Sequence, residues 1–250
     1  YLTGVFPRHR EAVDLTKGPL RLLKCHGNER CCGLLQLGHS YELAELYGSN
    51  YGYKSGLNNS MAHHLQNNIS NILRTVPLNA DDLVIDIGSN DGTVLHAYPQ
   101  ELKLVGFDPT GEMFRDQYKP NIELVSDFFS DQLVDRSFPG RKAKVVTTFS
   151  MFYDLESPID FASQVANILD PRDGIWVLEQ SYLPLMLERT GYDTICHEHL
   201  EYYGLAQIIW IVEKAGLRIV NVELNDVNGG SFLIVVAHRE SIYQDSNRTV

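Results

Sequence analysis

The sequence predicts an α/β protein. Its core is a doubly wound, largely parallel sheet that closes on an antiparallel hairpin, and a small irregular module precedes it. Three observations predict this. An apolar run over 83–87 passes through Asp86 into the glycine turn Gly88-Ser89-Asn90-Asp91-Gly92, and doubly wound sheets hold ligands at such strand ends. Further apolar runs follow at 102–107, 122–125, 144–149 and 175–179 with other segments between them, the alternation of βα units. Finally, runs over 217–224 and 231–237 are joined only by 225–230, too short for a parallel crossover, so they pair antiparallel.

Each element has its own reason. Residues 1–57 are rich in glycine and lack a core pattern, apart from short apolar runs around Cys25 and Cys32. They form the expected N-terminal module. Residues 58–240 make the main domain, and 241–250 begin a C-terminal region or tail. A helix is predicted over 58–76, because Met61, Leu65, Ile69, Ile72, Leu73 and Val76 share one face. Asn58 to Ser60 offer capping groups and Pro77 ends the helix. On it, His63 and His64 read as a solvated pair. Between the fourth and fifth strands, Ser157-Pro158-Ile159-Asp160 opens a helix, with Ser157 as cap and Pro158 at the first helical position. A long helix is predicted from about 200 to 215, closed by Gly216. Trp176 and Trp210 read as core residues.

The turn after the first strand is G-x-x-x-G, not the G-x-G-x-x-G of a pyrophosphate-binding turn. Asp108 ends the second strand, where an acid can take both hydroxyls of a ribose. A nucleoside without pyrophosphate suits this pattern, and S-adenosylmethionine is the common one. Parallel βα units closed by an antiparallel hairpin are the class I methyltransferase variant of the Rossmann-like sheet. The candidate cofactor-binding residues are Asp86, Gly88, Asn90, Asp91, Gly92 and Asp108. Asp127 and Phe128 join them after the third strand, where an adenine would lie, with Ser150 after the fourth.

Bulk properties narrow the partners. The chain has 250 residues, a net charge of −11 and a pI near 5.2. It carries no stripe of Lys and Arg, which argues against a nucleic-acid partner. No apolar run reaches the roughly 20 residues that cross a bilayer, which argues against a membrane. No secretory pattern follows Tyr1, so the chain reads as a fragment or as one lacking its start. Its four cysteines do not resemble a secreted disulfide framework, and a reducing cytoplasm is expected.

The second dense cluster is Cys196-His197-Glu198-His199-Leu200-Glu201-Tyr202-Tyr203, read as preceding and opening the long helix. H-E-H lacks the H-E-x-x-H spacing that puts two histidines on one helical face for zinc. A mononuclear metal site from Cys196, His197 and His199 is one alternative. Acid–base chemistry is the preferred reading: histidine titrates near neutrality, and a neighbouring carboxylate can fix its tautomer and raise its basicity.

The chain resembles the sugar C-methyltransferases that add a methyl to C-3 of nucleotide-linked 4-keto-deoxysugars. The resemblance rests on Cys32-Gly33-Leu34-Leu35-Gln36-Leu37, Tyr51-Gly52-Tyr53-Lys54-Ser55-Gly56, the loop from Asp86 to Thr93, Tyr192-Asp193-Thr194 with His197-Glu198-His199-Leu200, and Asn228-Gly229-Gly230-Ser231. It implies S-adenosylmethionine as cofactor and a nucleotide sugar as small-molecule substrate. It makes His199 the base that removes the C-3 proton, Glu198 its acidic neighbour, and Tyr53, ahead of Tyr51, a tyrosine that reaches the sugar. The implied substrate contacts are Tyr51, Cys196, His197, Asn228, Gly229, Gly230 and Ser231. The chain departs from the family pattern at Cys196, often tyrosine, and at Asn228, often histidine; an arginine soon after Ser231 is missing. The family's N-terminal module binds structural zinc through two cysteine pairs. Here the second pair would be Cys25 with Cys32, and the first would lie upstream of Tyr1. Reduced, unligated thiols on a loop are the competing reading, as are O- or N-methylation and a non-catalytic cofactor-binding module for the whole.

Overall fold

A computed structural model describes residues 16–26, 31–48 and 51–244. The remainder of the expected N-terminal module and the expected tail from 245 onward lie outside the described residues. Ten strands are present among them: β1 (Leu22–Lys24), β2 (Leu35–Leu37), β3 (Leu83–Ile87), β4 (Lys103–Phe107), β5 (Ile122–Val125), β6 (Ala143–Phe149), β7 (Ile175–Ser181), β8 (Glu201–Tyr202), β9 (Leu217–Asn225) and β10 (Ser231–His238). The α-helices are α1 (Leu43–Leu46), α2 (Asn59–Thr75), α3 (Asp131–Ser137), α4 (Pro158–Ile168), α5 (Leu183–Glu188) and α6 (Leu205–Lys214).

Seven strands form the main sheet in the order β5-β4-β3-β6-β7-β10-β9. Neighbours from β5 to β7 are parallel, whereas β10 runs antiparallel to both β7 and β9. Every residue of β3 is buried, as a central strand covered on both faces requires. One face packs on α4 and α6 through Phe161, Val165, Ile208 and Val212, and the other on α2 through Leu65, Ile69 and Ile72. The predicted parallel sheet and closing hairpin are therefore present. Asn58 caps α2 as expected, its side chain accepting hydrogen bonds from the Ser60 and Met61 backbone N–H groups. Ser157 makes no side-chain cap on α4, although Pro158 does open that helix.

Three expectations are corrected. The long helix starts at Leu205 rather than near 200: Glu201 and Tyr202 are used as β8, and Gly204 holds an extended conformation (φ −100°, ψ 171°) that stops the helix extending backwards. Trp176 is fully buried, its Nε1 donating to Thr148 Oγ1, but Trp210 is 42% exposed. Trp210 sits on the outward side of α6, opposite Ile208, Ile211 and Val212, with the Lys214 ammonium over its ring. His64 is not solvated; its partner is described below.

A second sheet, β1-β2-β8, is antiparallel throughout. It takes two strands from the N-terminal module and one from the segment after His199. The Leu37 N–H donates to the Leu200 carbonyl (2.7 Å), and Gln207 Nε2 to the Cys32 carbonyl (2.7 Å). The module is thus seated on the residues that follow the H-E-H cluster. Among the described residues no helix is long and apolar enough to cross a membrane.

Candidate active site

A cavity of about 450 Å³ opens at the carboxyl ends of β3, β4, β6 and β7, beneath the segment from Leu43 to Leu65. Its floor is the glycine turn. Gly88 has φ +74°, and a Cβ there would lie 3.1 Å from Met151 Cγ, so glycine keeps the crevice open where β3 meets the loop after β6. Asn90 also has positive φ (48°). Asp108, at the end of β4, is 6% exposed. It accepts hydrogen bonds from the Asn90 N–H (2.7 Å) and from the Thr110 N–H (2.7 Å), so it crosslinks the two loops as well as lining the cavity.

The turn also holds the cavity's other wall. Asn90 Oδ1 accepts from the Ser55 N–H and its Nδ2 donates to the Tyr53 carbonyl, both at 3.0 Å, while Asp91 Oδ2 accepts from the Gly56 N–H at 2.9 Å. The segment from Tyr53 to Gly56 is thereby fixed over the strand ends, with Tyr51 lining the same wall. Tyr47 continues that wall: its hydroxyl donates to Asp154 Oδ2 (2.8 Å), and its ring stands against Tyr51 and edge-on to Phe128.

Across the cavity lies the segment that precedes β8. His199 Nδ1 is 2.7 Å from the Thr194 carbonyl. A carbonyl only accepts, so Nδ1 carries the proton and Nε2 keeps its lone pair. Burial pushes the imidazole below its ordinary pKa, leaving it neutral and able to take a proton at neutral pH. Its ring packs on Tyr153, with centroids 4.1 Å apart. Glu198 does not fix this tautomer, contrary to the expectation; the Thr194 backbone does. Glu198 Oε1 accepts no hydrogen bond, and burial raises its pKa to about 7.

Of the predicted site residues, Tyr51, Tyr53, Gly88, Asn90, Asp108, Phe128, Ser150, Glu198, His199 and Asn228 line the cavity. The others stand outside it. Asp86 is buried inside the sheet, where Thr147 donates to it and burial raises its pKa to about 7. Asp91 and Gly92 serve the turn: Asp91 through Gly56 and Thr93, Gly92 by its left-handed φ of 75°. Asp127 is exposed and accepts from the Phe128 N–H. His197 points to the N-terminal segment, 2.9 Å from the Gly18 carbonyl and edge-on to Tyr41. Cys196 receives backbone hydrogen bonds from His199 and Glu198, yet burial raises its thiol pKa. Gly229 and Gly230 shape the hairpin turn with φ of 80° and 129°, and Ser231 Oγ closes it on the Val227 carbonyl. A Cβ at Gly230 would lie 2.7 Å from Leu185 Cβ.

Cys25 and Cys32 do meet. The Cys25 sulfur receives the Cys32 and Gly33 backbone N–H groups and the Cys32 thiol, which pull its pKa down. That environment suits a thiolate ligand and supplies two of the four that structural zinc requires. Among the described residues, neither cysteine belongs to a group of three ligand atoms; one such group occurs elsewhere, Cys196, Glu198 and His199.

Sequence reasoning takes Glu179 and Gln180 as a hydrogen-bonded strand end, with a substrate-facing role as the alternative; Glu179 is hydrogen-bonded, but the sequence did not reveal its partners. Glu179, two residues before the end of β7, is 3% exposed. Its carboxylate faces His64 Nε2 at 2.7 Å and accepts from Asn68 Nδ2 and Asn225 Nδ2. The available signal was an acid directly after the apolar run 175–178, which has to find partners, together with His64 and Asn68 one helical turn apart on α2.

A seven-stranded sheet of this order, with a crevice at the carboxyl ends of its parallel strands, defines the class I methyltransferase fold. The methyltransferase domain family matches residues 61–222, and the chain belongs to that family. It is 28% identical over 229 residues to the C-methyltransferase NovU of Streptomyces niveus, an alignment covering 91% of this chain and 53% of that protein. The chain thus spans about half the length of the curated relative it matches. Among solved structures, it resembles a chain of the complex between the Haloferax volcanii Trm112 methyltransferase activator and a methyltransferase (TM-score 0.57, 16% identity, 74% of this chain and 95% of that one). It also resembles the magnesium protoporphyrin IX methyltransferase of Synechocystis PCC 6803 with bound SAH (TM-score 0.51, 13% identity, 77% and 91%). These two likenesses speak for the fold.

Proposed function

We propose that the chain carries the catalytic domain of an S-adenosylmethionine-dependent C-methyltransferase. Its substrate would be a nucleotide-linked 4-keto-deoxysugar, methylated at C-3. The observation that carries this reading is His199. Its Nε2 lone pair is left free by the Thr194 contact, in the same cavity as Gly88 and Asp108. Transfer to oxygen or nitrogen needs no base able to make a carbanion; transfer to carbon does. The likeness to NovU supports the carbon target.

The residues fit the cofactor: Gly88 leaves room against Met151, and Asp108 lines the cavity one strand away. S-adenosylmethionine supplies an electrophilic methyl on a sulfonium. Gly88 would let the methionine part approach the backbone, Asp108 would take the ribose hydroxyls, and Phe128 would cover the adenine. His199 Nε2 takes the C-3 proton, and the C–H electron pair delocalises onto the ketone oxygen as an enolate. A tyrosine hydroxyl, Tyr53 or Tyr51, donates to that oxygen, because a base and a donor must act together on so weak a carbon acid. The enolate carbon would then receive the methyl as the S–CH3 bond breaks and S-adenosylhomocysteine leaves, and the chain's part in that transfer would be placement of the two reactants.

Cys25 and Cys32 would complete a structural zinc site with ligands from outside the described residues, in a reducing cytoplasmic setting where thiolates persist. The deciding experiment follows the C-3 proton. In D₂O with S-adenosylhomocysteine, which has no methyl to give, the protein should exchange that proton. No exchange with any 4-keto-deoxysugar nucleotide, together with full retention of a C-3 deuterium in the methylated product, would move the reading to O-methylation.

A further inference from the structure

The site contains a second kind of chemistry. The ligand atoms of Cys196, Glu198 and His199 lie within 4.8 Å of one another. They are a thiol, a carboxylate and an imidazole, the donor set that suits zinc-type cations. Two features prepare them. The Thr194 carbonyl holds His199 by Nδ1 at 2.7 Å, the outer hydrogen bond that typically orients a metal-ligating histidine and leaves Nε2 to the metal. Glu198 Oε1 is buried without a hydrogen-bond partner, and a cation would satisfy it. Glu198 and His199 both line the cavity, so a fourth position would face it, as in zinc sites with three protein ligands and one open place.

We propose that Cys196, Glu198 and His199 form a three-ligand site for a divalent zinc-type cation, and that the bound cation silences the base by occupying the Nε2 lone pair. The silencing half rests on the function proposed above; the metal half does not. The site is separate from the Cys25–Cys32 pair, which lies on the β1–β2 side of the N-terminal module and whose cysteines join no group of three ligands among the described residues.

The test uses the full chain with cobalt(II) as a spectroscopic probe and zinc as competitor. Cobalt should bind with a thiolate-to-metal charge-transfer band that zinc displaces. Cys25→Ser with Cys32→Ser should keep the band. Cys196→Ser should lose it and weaken metal binding by at least about tenfold, the scale seen even for groups that only support a ligand. A band unchanged in Cys196→Ser, or lost only in the Cys25/Cys32 double variant, overturns the site. Should Cys196→Ser fail to fold, alkylation of the unsubstituted chain decides: zinc should protect Cys196 and a chelator should expose it, and equal labelling in both overturns the site. Zinc should also suppress C-3 proton exchange and a chelator restore it. Exchange that continues with the cobalt site filled overturns the silencing. A chain that never exchanges its substrate, metal-free, argues instead against His199 as base and leaves the cobalt result to judge the site.

Discussion

His64 Nε2 lies 2.7 Å from Glu179 Oε1, and this contact joins α2 to the end of β7 beneath the cavity. Asn68 and Asn225 complete the environment of the same carboxylate. A buried carboxylate is tolerated only when its lone pairs are met, so these residues act as a unit that holds the helix bearing Met61 and Leu65 against the sheet.

His64→Ala should therefore destabilise the fold by about 1.5–3 kcal/mol, the range for hydrogen bonds to charged groups. The loss should shrink in a Glu179→Gln background, because the stranded charge is then gone. Denaturant unfolding of the double-mutant cycle gives the coupling; additive losses would mean that the two side chains do not cooperate.

Asp108 carries two duties. Asp108→Asn should weaken S-adenosylmethionine binding by roughly tenfold to a hundredfold, from lost charge-assisted hydrogen bonds to the ribose. It should also lower the melting temperature, since the carboxylate accepts the Asn90 and Thr110 N–H groups in the folded protein. Calorimetry and thermal melts measure the two effects separately.

His199→Asn should reduce methyl transfer by about 10²–10⁴-fold, the usual contribution of a general base, with cofactor affinity unchanged. The kcat/KM of the unsubstituted protein should hold through neutrality and fall on the acid side only below the ordinary histidine range, because burial lowers the His199 pKa. A fall beginning above neutrality would assign the base to another group.

Stability should also depend on pH. Burial raises Glu201 to about 8 and Glu198 to about 7. A carboxyl with a raised folded pKa binds more protons folded than unfolded, so its contribution is present at acid pH and is lost as pH rises through the folded value. His199, with a lowered pKa, works in the opposite sense: its contribution is lost as pH falls below the ordinary histidine value. Asp86, raised to about 7, and Asp154, also raised by burial, act in the same sense as Glu201 and Glu198; between about pH 5.5 and 8.5 these acids together should dominate and the protein should become less stable by on the order of a few kcal/mol. Glu201→Gln keeps an acceptor for the Tyr203 hydroxyl and should flatten the decline in thermal melts; an unchanged slope would clear Glu201 of the effect.

Cys25→Ser with Cys32→Ser should remove the zinc of the N-terminal module from a longer form of the protein that supplies the remaining ligands, while the cation site at Cys196, Glu198 and His199 stays. Hydrogen exchange should then quicken at Leu37, whose N–H donates to the Leu200 carbonyl. A zinc content unchanged by the double variant would point to other ligands for the module.

The sheet was legible because each strand is a short apolar run and because the hairpin linker is too short for any other pairing. The Gly88 turn and Asp108 were legible for a similar reason: their chemistry is local, two glycines and one acid at fixed strand ends. What stayed hidden depends on long-range pairing. Nothing in Glu201-Tyr202 marks it as a strand until Leu35 and Gln36 lie beside it, and a helical reading of 200–215 overruns it for that reason. His64 looks solvated until Glu179, 115 positions away, arrives at its ring. His197 sits in a dense motif yet turns to the carbonyl of Gly18, 179 positions away, which the local sequence does not reveal.

The hydrogen bonds from Asn90 and Asp91 to the backbone of Tyr53, Ser55 and Gly56 bear on protein engineering. The loop that would meet the cofactor and the tyrosines that would meet the acceptor share one set of bolts. A chimera that imports residues 51–56 from a relative to change its acceptor has to import the matching residues at 90 and 91 with them. Transplanted alone, the new wall would sit on a floor cut for the old one.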